Sequence, residues 1–120
     1  MTASHDLGRS AEGLAAEWLE RRGWTLLARN WRSGHREIDL VARRAGVVAF
    51  VEVKARRTRS FGHPLDAITR GKRRDLELAA RAWVARHDLR VAEYRFDAIW
   101  VLGDPGGDCE IEHVAGAWRL

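Results

Sequence analysis

Two neighbouring stretches, residues 37–42 and 49–54, alternate between polar and hydrophobic side chains. A period of two is typical of strands that bury one face. In the first stretch Glu37 and Asp39 share a face, and the apolar residues on the other face are Ile38, Leu40 and Ala42. In the second stretch Glu52 and Lys54 share a face with Phe50, and the opposing residues are Ala49, Val51 and Val53. The pattern predicts two strands with charged side chains aligned on one face of each.

A polar break that ends in a glycine separates these strands and is short enough for a hairpin connection. If the loop consists of Ala45 and Gly46 alone, the strand register places Asp39 directly opposite Glu52. A loop of three residues would shift the register and separate the two carboxylates.

Two ionised carboxylates that face each other across strands destabilise a sheet, and a low local dielectric strengthens their repulsion. A divalent cation between Asp39 and Glu52 would remove this repulsion. The same register places Lys54 close to the pair and Glu37 opposite Lys54. Carboxylate oxygens suit Mg²⁺ or Mn²⁺. The spacing therefore predicts a metal site. The alternative is a solvent-facing strand whose charges point into water.

The remaining pattern predicts an α/β fold. Apolar residues at helical spacing predict helices over residues 6–22 and 65–87. The sequence pattern predicts further strands over residues 24–31 and 91–102, and a short closing edge strand over residues 109–115. The helix between the third and fourth strands implies a right-handed crossover and parallel pairing. We therefore expect a mixed sheet of about five strands flanked by helices. A chain of 120 residues is expected to form one domain, 1–120.

Positive charge is concentrated after the second of the alternating stretches. The chain has a net charge of +4, yet residues 54–90 alone carry 11 basic and 4 acidic side chains. A basic surface beside a carboxylate pair is expected where a polyanion is held against a metal site. The alternative is that the arginines simply solvate the surface.

Two groups of cations are the candidate nucleic-acid contacts. The loop after Lys54 carries Arg56, Arg57 and Arg59, and Arg56 extends the strand on the face of Glu52. Residues of the second predicted helix form the other group, Arg70, Lys72, Arg73 and Arg74. Cations near a helix N-terminus oppose the helix dipole, which favours an anionic partner such as DNA phosphate.

Several classes of protein are excluded by the sequence. The longest apolar run, residues 46–51, is too short to span a membrane. Residues 1–6 lack the pattern of a signal peptide. The lone Cys109 rules out an intrachain disulfide and a cysteine zinc site. We expect a cytoplasmic protein without a membrane partner.

Asp39 followed by Glu52-x-Lys54 resembles the motif of the PD-(D/E)xK nuclease superfamily. The chain as a whole resembles the YraN-type (UPF0102) family of small bacterial proteins, which is related to the archaeal Holliday junction resolvases. The resemblance runs in order from about residue 8 to 100. The matching positions are Gly8, Glu12, Gly23-Trp24, Asn30, Glu37–Leu40, Phe50–Lys54, Arg56, Phe61-Gly62, Lys72 and Arg95–Asp97. Arg36 stands where the family usually has glycine.

The resemblance implies a restriction-endonuclease-like core and a metal-dependent endonuclease that acts on branched DNA. It implies catalytic roles for Asp39, Glu52 and Lys54, and a Mg²⁺ or Mn²⁺ site formed by Asp39, Glu52 and Glu12, the last of these from the first helix. Asp97 is a candidate supporting residue, although a structural role is favoured for it. The related resolvases act as dimers, so a homodimer is also expected.

Two other functions fit the same residues. The chain could bind nucleic acid on a nuclease fold with little or no cleavage, in which case binding survives loss of Asp39 and Glu52. It could instead be an interaction module whose basic helix docks on an acidic protein, with no affinity for nucleic acid. Fold alone does not decide among these functions.

Overall fold

The computed structural model describes residues 3–58, 68–104 and 107–118, and for residues 3–10 the backbone alone. Two helices and five strands lie within these ranges. In chain order they are α1 (Ala3–Arg21), β1 (Thr25–Ser33), β2 (Arg36–Arg44), β3 (Val47–Arg56), α2 (Arg70–His87), β4 (Glu93–Gly103) and β5 (Cys109–Trp118). The element types agree with the sequence pattern, and most boundaries agree within a few residues.

The five strands form one mixed sheet in the order β1-β2-β3-β4-β5. The first three strands are antiparallel neighbours, β3 and β4 run parallel, and β5 returns antiparallel at the edge. Helix α2 connects the two parallel strands, as a parallel pair requires. The predicted parallel pairing and the predicted mixed five-stranded sheet are confirmed.

A two-residue turn sets the register of the β2–β3 hairpin. Ala45 and Gly46 both have positive φ, at 49° and 80°, which is the conformation of a type I′ turn. Arg44 pairs with Val47 on either side of this turn, and the same register continues along the hairpin. The predicted two-residue loop is therefore confirmed.

The helices cover opposite faces of the sheet. Ala15, Ala16 and Leu19 of α1 pack against one face, where the sheet residues include Leu40, Ala42, Ala49, Val51, Ile99 and Val101. Leu76, Ala79, Ala80 and Trp83 of α2 pack against the other face, where the sheet residues include Ile38, Val41, Val48, Phe50 and Phe96. Because apolar side chains cover both faces of the sheet in these clusters, the polar side chains of β2 and β3 are confined to the parts of the strands outside them.

Two expectations need correction. The second helix begins at Arg70, because the side chain of Thr69 accepts a hydrogen bond from Lys72 N–H and caps it there. Ile68 and Thr69 are not helical, and residues 65–67 of the predicted helix lie outside the described ranges. Ile38 does not share a face with Leu40, since it packs in the α2 cluster.

The break in alternation at Ile38 has a local cause in the neighbouring strand. Asn30 of β1 has a φ of 50°, in the left-handed region. The next residue of β1, Trp31, pairs with Ile38 of β2. Both Trp31 and Ile38 belong to the α2 side of the sheet. The sheet therefore changes its pleat beside Asp39.

Neither of the helices in the described part of the chain is long and apolar enough to cross a membrane.

Replacing Ala45 with asparagine is expected to stabilise the protein. An alanine at positive φ is strained, whereas asparagine tolerates this conformation, so the free energy of unfolding should rise by about 1 kcal/mol. Urea denaturation monitored by circular dichroism measures the change. The control is Ala115→Asn on β5, an exposed position that is not among the positive-φ residues, where no gain is expected. An equal gain at both positions would contradict the explanation.

Candidate functional site: an acidic cluster between two strands

Strands β2 and β3 stop pairing at Leu40 and Val51. Continued in the same register, Asp39 would face Glu52 and Ile38 would face Val53. Instead, the Val53 N–H donates to Asp39 Oδ2 at 2.8 Å. A side-chain carboxylate thus takes the place of a strand carbonyl, so the backbone amide is satisfied while the strands separate. The Asp39 side chain is held in the opening between the strands.

Two further carboxylates gather around Asp39. One oxygen each from Glu12, Glu37 and Asp39 lies within 4.8 Å of the others, and all three side chains are partly buried. Glu12 comes from α1 and the other two from β2. The structure therefore brings the predicted first-helix acid to the predicted strand acid.

Neighbouring polar residues orient these carboxylates. The Asn30 amide nitrogen donates to both oxygens of Glu12, at 2.7 and 3.2 Å, in the amide orientation that satisfies donor and acceptor. Arg32, the cross-strand partner of Glu37, forms an ion pair with it at 2.8 Å. Burial and the charge of Asp39 raise the pKa of Glu12, and the hydrogen bond from Asn30 counteracts this effect.

Glu37 does not hold Lys54 as the register had predicted. Among the described residues its ion pair is with Arg32, because β2 remains paired with β1 after it leaves β3. The prediction assumed that the β2–β3 ladder extends to Glu37, and the ladder ends at Leu40.

Glu52 is the most deeply buried acid of the site. It is only 4% exposed, and its Oε2 atom has no hydrogen-bond partner among the described residues. Burial, a hydrogen bond with Asp39 and the charge of Asp39 raise its pKa from about 4.5 to about 8. The protonated form of Glu52 is therefore favoured at neutral pH.

Two lysines approach Glu52 from different elements. Lys72, in the first turn of α2, places its Nζ 3.6 Å from Glu52 Oε2. Lys54 lies two residues after Glu52 on the same strand and within its electrostatic reach. In the described part of the chain only Lys72 forms an ion pair with Glu52. The sequence pattern predicted that Lys72 contacts nucleic acid. Nothing in the local pattern indicated its contact with Glu52, which lies twenty residues earlier in the chain.

The predicted cationic residues occupy several surroundings. Arg56 reaches back over the Trp100 ring, with 5.9 Å from Cζ to the ring centroid, and Arg57 lines a cavity of about 330 Å³ with Gly103 and Cys109. At the start of α2, Arg70 and Arg74 are exposed, and Arg73 lies 5.4 Å from the Trp118 ring centroid. Arg59 falls outside the described residues.

Asp97 belongs to a different network. Its carboxylate is fully buried, and it accepts hydrogen bonds from Arg95 Nε at 2.9 Å, from His113 Nε2 at 2.7 Å and from the Gly116 N–H at 2.9 Å. Burial alone would raise the pKa of Asp97, but these hydrogen bonds outweigh it and lower the pKa. Asp97 thus joins β4 to β5, and none of these bonds reaches the acidic cluster.

Comparison with known proteins assigns the chain to a family. The profile described as "Uncharacterised protein family UPF0102" matches residues 11–101. The chain is a member of the UPF0102 family. A UPF0102 protein of Clavibacter michiganensis subsp. michiganensis is 44% identical over 117 residues, which cover 98% of this chain and 99% of the relative. A UPF0102 protein of Beutenbergia cavernae is 41% identical over 116 residues, covering 97% and 98%. One of Pelobacter propionicus is 40% identical over 119 residues, covering 98% and 85%. The family resemblance noted in the sequence is confirmed.

In this UPF0102 chain the acidic cluster can hold a cation through carboxylate oxygens, or hold protons in its absence. Asn30 was among the positions at which the sequence matches the family, but no contact at the site was predicted for it. An asparagine inside a predicted strand was the available signal, because asparagine tolerates the positive φ that the structure shows there. The contact between Lys72 and Glu52 required the tertiary structure.

Glu52→Gln is expected to stabilise the metal-free UPF0102 chain at pH 8. Because the folded-state pKa of Glu52 is raised, folding loses free energy as pH rises from about 4.5 to about 8, by about 1.4 kcal/mol for each pH unit. A neutral glutamine avoids this loss and can still donate to Asp39. The free energy of unfolding in EDTA should exceed that of wild type by roughly 4 kcal/mol at pH 8.

The difference between Glu52→Gln and wild type should vanish as pH falls below about 4.5, where the glutamate becomes protonated in both the folded and unfolded chains. The matched control is Glu20→Gln on the exposed side of α1, which should change stability by less than about 0.5 kcal/mol. A gain that does not depend on pH would contradict the account of Glu52.

Asp97→Asn is expected to destabilise the protein by about 3 kcal/mol at pH 7, because it leaves the half-buried Arg95 without its counter-charge. The contribution of Asp97 is present above pH 4 and is lost as pH falls through its lowered folded-state pKa. Thermal unfolding between pH 3 and 7 measures it. Exposed Asp108→Asn is the control, and equal effects of the two would contradict a structural role for Asp97.

Proposed function

We propose that this protein is a metal-dependent endonuclease with a PD-(D/E)xK core, which hydrolyses phosphodiester bonds in DNA, with branched DNA as its substrate. The observation that supports this most is the meeting of Asp39 and Glu52 where β2 and β3 separate, with Glu12 beside them. Lys54 follows Glu52 by two residues on the same strand. The antiparallel β1–β3 unit followed by a crossover through α2 to β4 is consistent with such a core.

The residues present fit a divalent cation. Hard carboxylate oxygens from Glu12 and Asp39 lie within 4.8 Å of each other, and the buried Glu52 Oε2 lacks a hydrogen-bond partner among the described residues. Asp39, Glu52 and Glu12 would hold Mg²⁺ or Mn²⁺, with Glu37 adjacent. A cation bound there would supply Lewis-acid polarisation of the phosphodiester and a lowered pKa for water.

The chain's own residues supply orientation and charge. The Val53 N–H fixes one oxygen of Asp39, and Asn30 fixes both oxygens of Glu12, so the remaining lone pairs point in defined directions. Lys54 would hold a phosphate oxygen or the attacking water as a compact positive charge. The proton that the raised pKa of Glu52 favours must leave when its carboxylate acts as a ligand.

Cations around the acidic cluster support DNA as the polyanion. Lys72, Arg70 and Arg74 lie at the start of α2, whose first turn contains no acidic residue. Arg56 extends β3 beyond Lys54. Phosphate contacts by such residues give affinity that falls steeply with salt and carries no sequence preference. A homodimer would place two such sites on the two strands of a junction.

The test is cleavage of a synthetic four-way junction beside linear duplex and single strand, in Mn²⁺, in Mg²⁺ and in EDTA. Metal-dependent cleavage is expected for wild type. The cleavage rate should fall by at least about 10²-fold in Asp39→Asn, Glu52→Gln and Lys54→Met, because the first two each remove a carboxylate ligand of the cation and the third removes positive charge beside the reacting phosphate. Exposed Glu20→Gln is the matched control. Each variant is checked for folding by circular dichroism.

Junction binding is measured in parallel in EDTA at two salt concentrations. Binding by wild type without cleavage of any substrate would replace the endonuclease with a nucleic-acid-binding protein on the same fold. Absence of both binding and cleavage would contradict both, and would leave the basic residues of α2 for an acidic protein partner.

A further inference from the structure

Lys72 balances the charge of the acidic site from a different element. It lies in the first turn of α2, and its Nζ is 3.6 Å from Glu52 Oε2, an atom without a hydrogen bond among the described residues. The distance is longer than a hydrogen bond, so attraction between the ammonium and the negative charge of the acidic site, rather than a fixed bond, keeps the ammonium there. Lys72 is also 38% exposed, which leaves its side chain room to turn outward.

The position of Lys72 on its helix is unfavourable for a positive charge unless negative charge lies nearby. The first turn of α2 has no acidic residue, and the positive end of the helix dipole repels a cation. Thr69 caps the helix through the Lys72 N–H, so the backbone of Lys72 is fixed while its side chain is not. Negative charge is therefore needed near the ammonium, and the acidic site around Glu52 and Asp39 supplies it.

A divalent cation on the carboxylates would reverse this balance. A divalent cation held by these carboxylates adds positive charge close to the ammonium, which lies 3.6 Å from Glu52 Oε2, so the attraction between Lys72 and the site weakens. The freed ammonium lies on the same helix turns as exposed Arg70 and Arg74, where a phosphate can accept it. Lysine suits this exchange because it is a point charge on a flexible stem.

We propose that Lys72 is a mobile counter-cation that contacts Glu52 in the metal-free protein and moves to a DNA phosphate when the acidic site binds a divalent cation. Metal binding and DNA binding then strengthen each other, because each favours the outward position of Lys72. The inference rests on the proposed function for its metal and its DNA, and it adds a coupling between them that the active-site residues alone do not require.

The test measures two affinities rather than cleavage. Mn²⁺ affinity is obtained by calorimetry without DNA. Junction affinity is obtained by fluorescence anisotropy in EDTA and in Ca²⁺, an oxygen-seeking cation used here as the non-cleaving probe. For wild type, Ca²⁺ should strengthen junction binding by about tenfold, and the ratio of the two affinities is the coupling.

Lys72→Met should bind Mn²⁺ roughly threefold to tenfold more tightly than wild type, because a repelling charge is gone. Its junction affinity should fall in Ca²⁺ more than in EDTA, so that the coupling shrinks by about threefold. Lys72→Arg keeps the charge and should restore the coupling. These opposite changes separate a counter-cation from a residue that merely positions Glu52, whose loss would weaken Mn²⁺ binding.

The matched control is Arg74→Met, an exposed cation two residues further along the same helix. It should weaken junction binding by the same factor in EDTA and in Ca²⁺ and leave Mn²⁺ affinity within about twofold of wild type, since its charge is solvated. Weaker Mn²⁺ binding by Lys72→Met, or an unchanged coupling, would overturn this inference alone. Failure of wild type to bind Mn²⁺ at all would instead overturn the proposed function and this inference with it.

Discussion

The structure depends on a buried carboxyl group that lies against another carboxylate. Glu52 is almost fully buried next to Asp39, and together burial and repulsion hold its pKa near 8. Such a pair is unfavourable in a sheet unless a proton or a cation lies between the two groups. The surrounding residues make the arrangement tolerable: the Val53 N–H binds Asp39, and the Lys72 ammonium lies near Glu52. A buried acid pair that lowers the free energy of unfolding is typical of a site whose groups serve a function.

The site needs both faces of the sheet. Helix α1 packs on one face and brings Glu12 to Asp39, and helix α2 packs on the other face and brings Lys72 to Glu52. The separation of β2 from β3 opens the sheet between the two helices, so acidic and basic groups from opposite layers meet in the opening. The packing of each helix therefore has a direct consequence for the charge at the site. A change that shifts either helix is expected to alter the acidic cluster as well as the core.

Asp97 shows that burial of an acid does not by itself indicate a functional group. Both Asp97 and Glu52 lie deep in the protein, yet their pKa values move in opposite directions. Asp97 is surrounded by donors, namely Arg95, His113 and the Gly116 N–H, which favour its charged form. Glu52 faces a second acid and lacks comparable donors among the described residues. The first arrangement fastens an edge strand, and the second leaves one oxygen of Glu52 without a hydrogen bond among the described residues.

Much of the fold and part of the site could be predicted from the sequence because they depend on short-range rules. Alternation with period two and a two-residue turn ending in glycine are local properties, and they determined the β2–β3 register that brings Asp39 toward Glu52. The helix between β3 and β4 determined their parallel pairing through the handedness and length of the crossover. The end of the ladder at Leu40, the partner of Glu37, the start of α2 at Arg70 and the contact of Lys72 with Glu52 were decided only by tertiary structure. These features depend on how distant elements pack and on where buried charge finds a partner, and such long-range compensation leaves no periodic trace in the sequence.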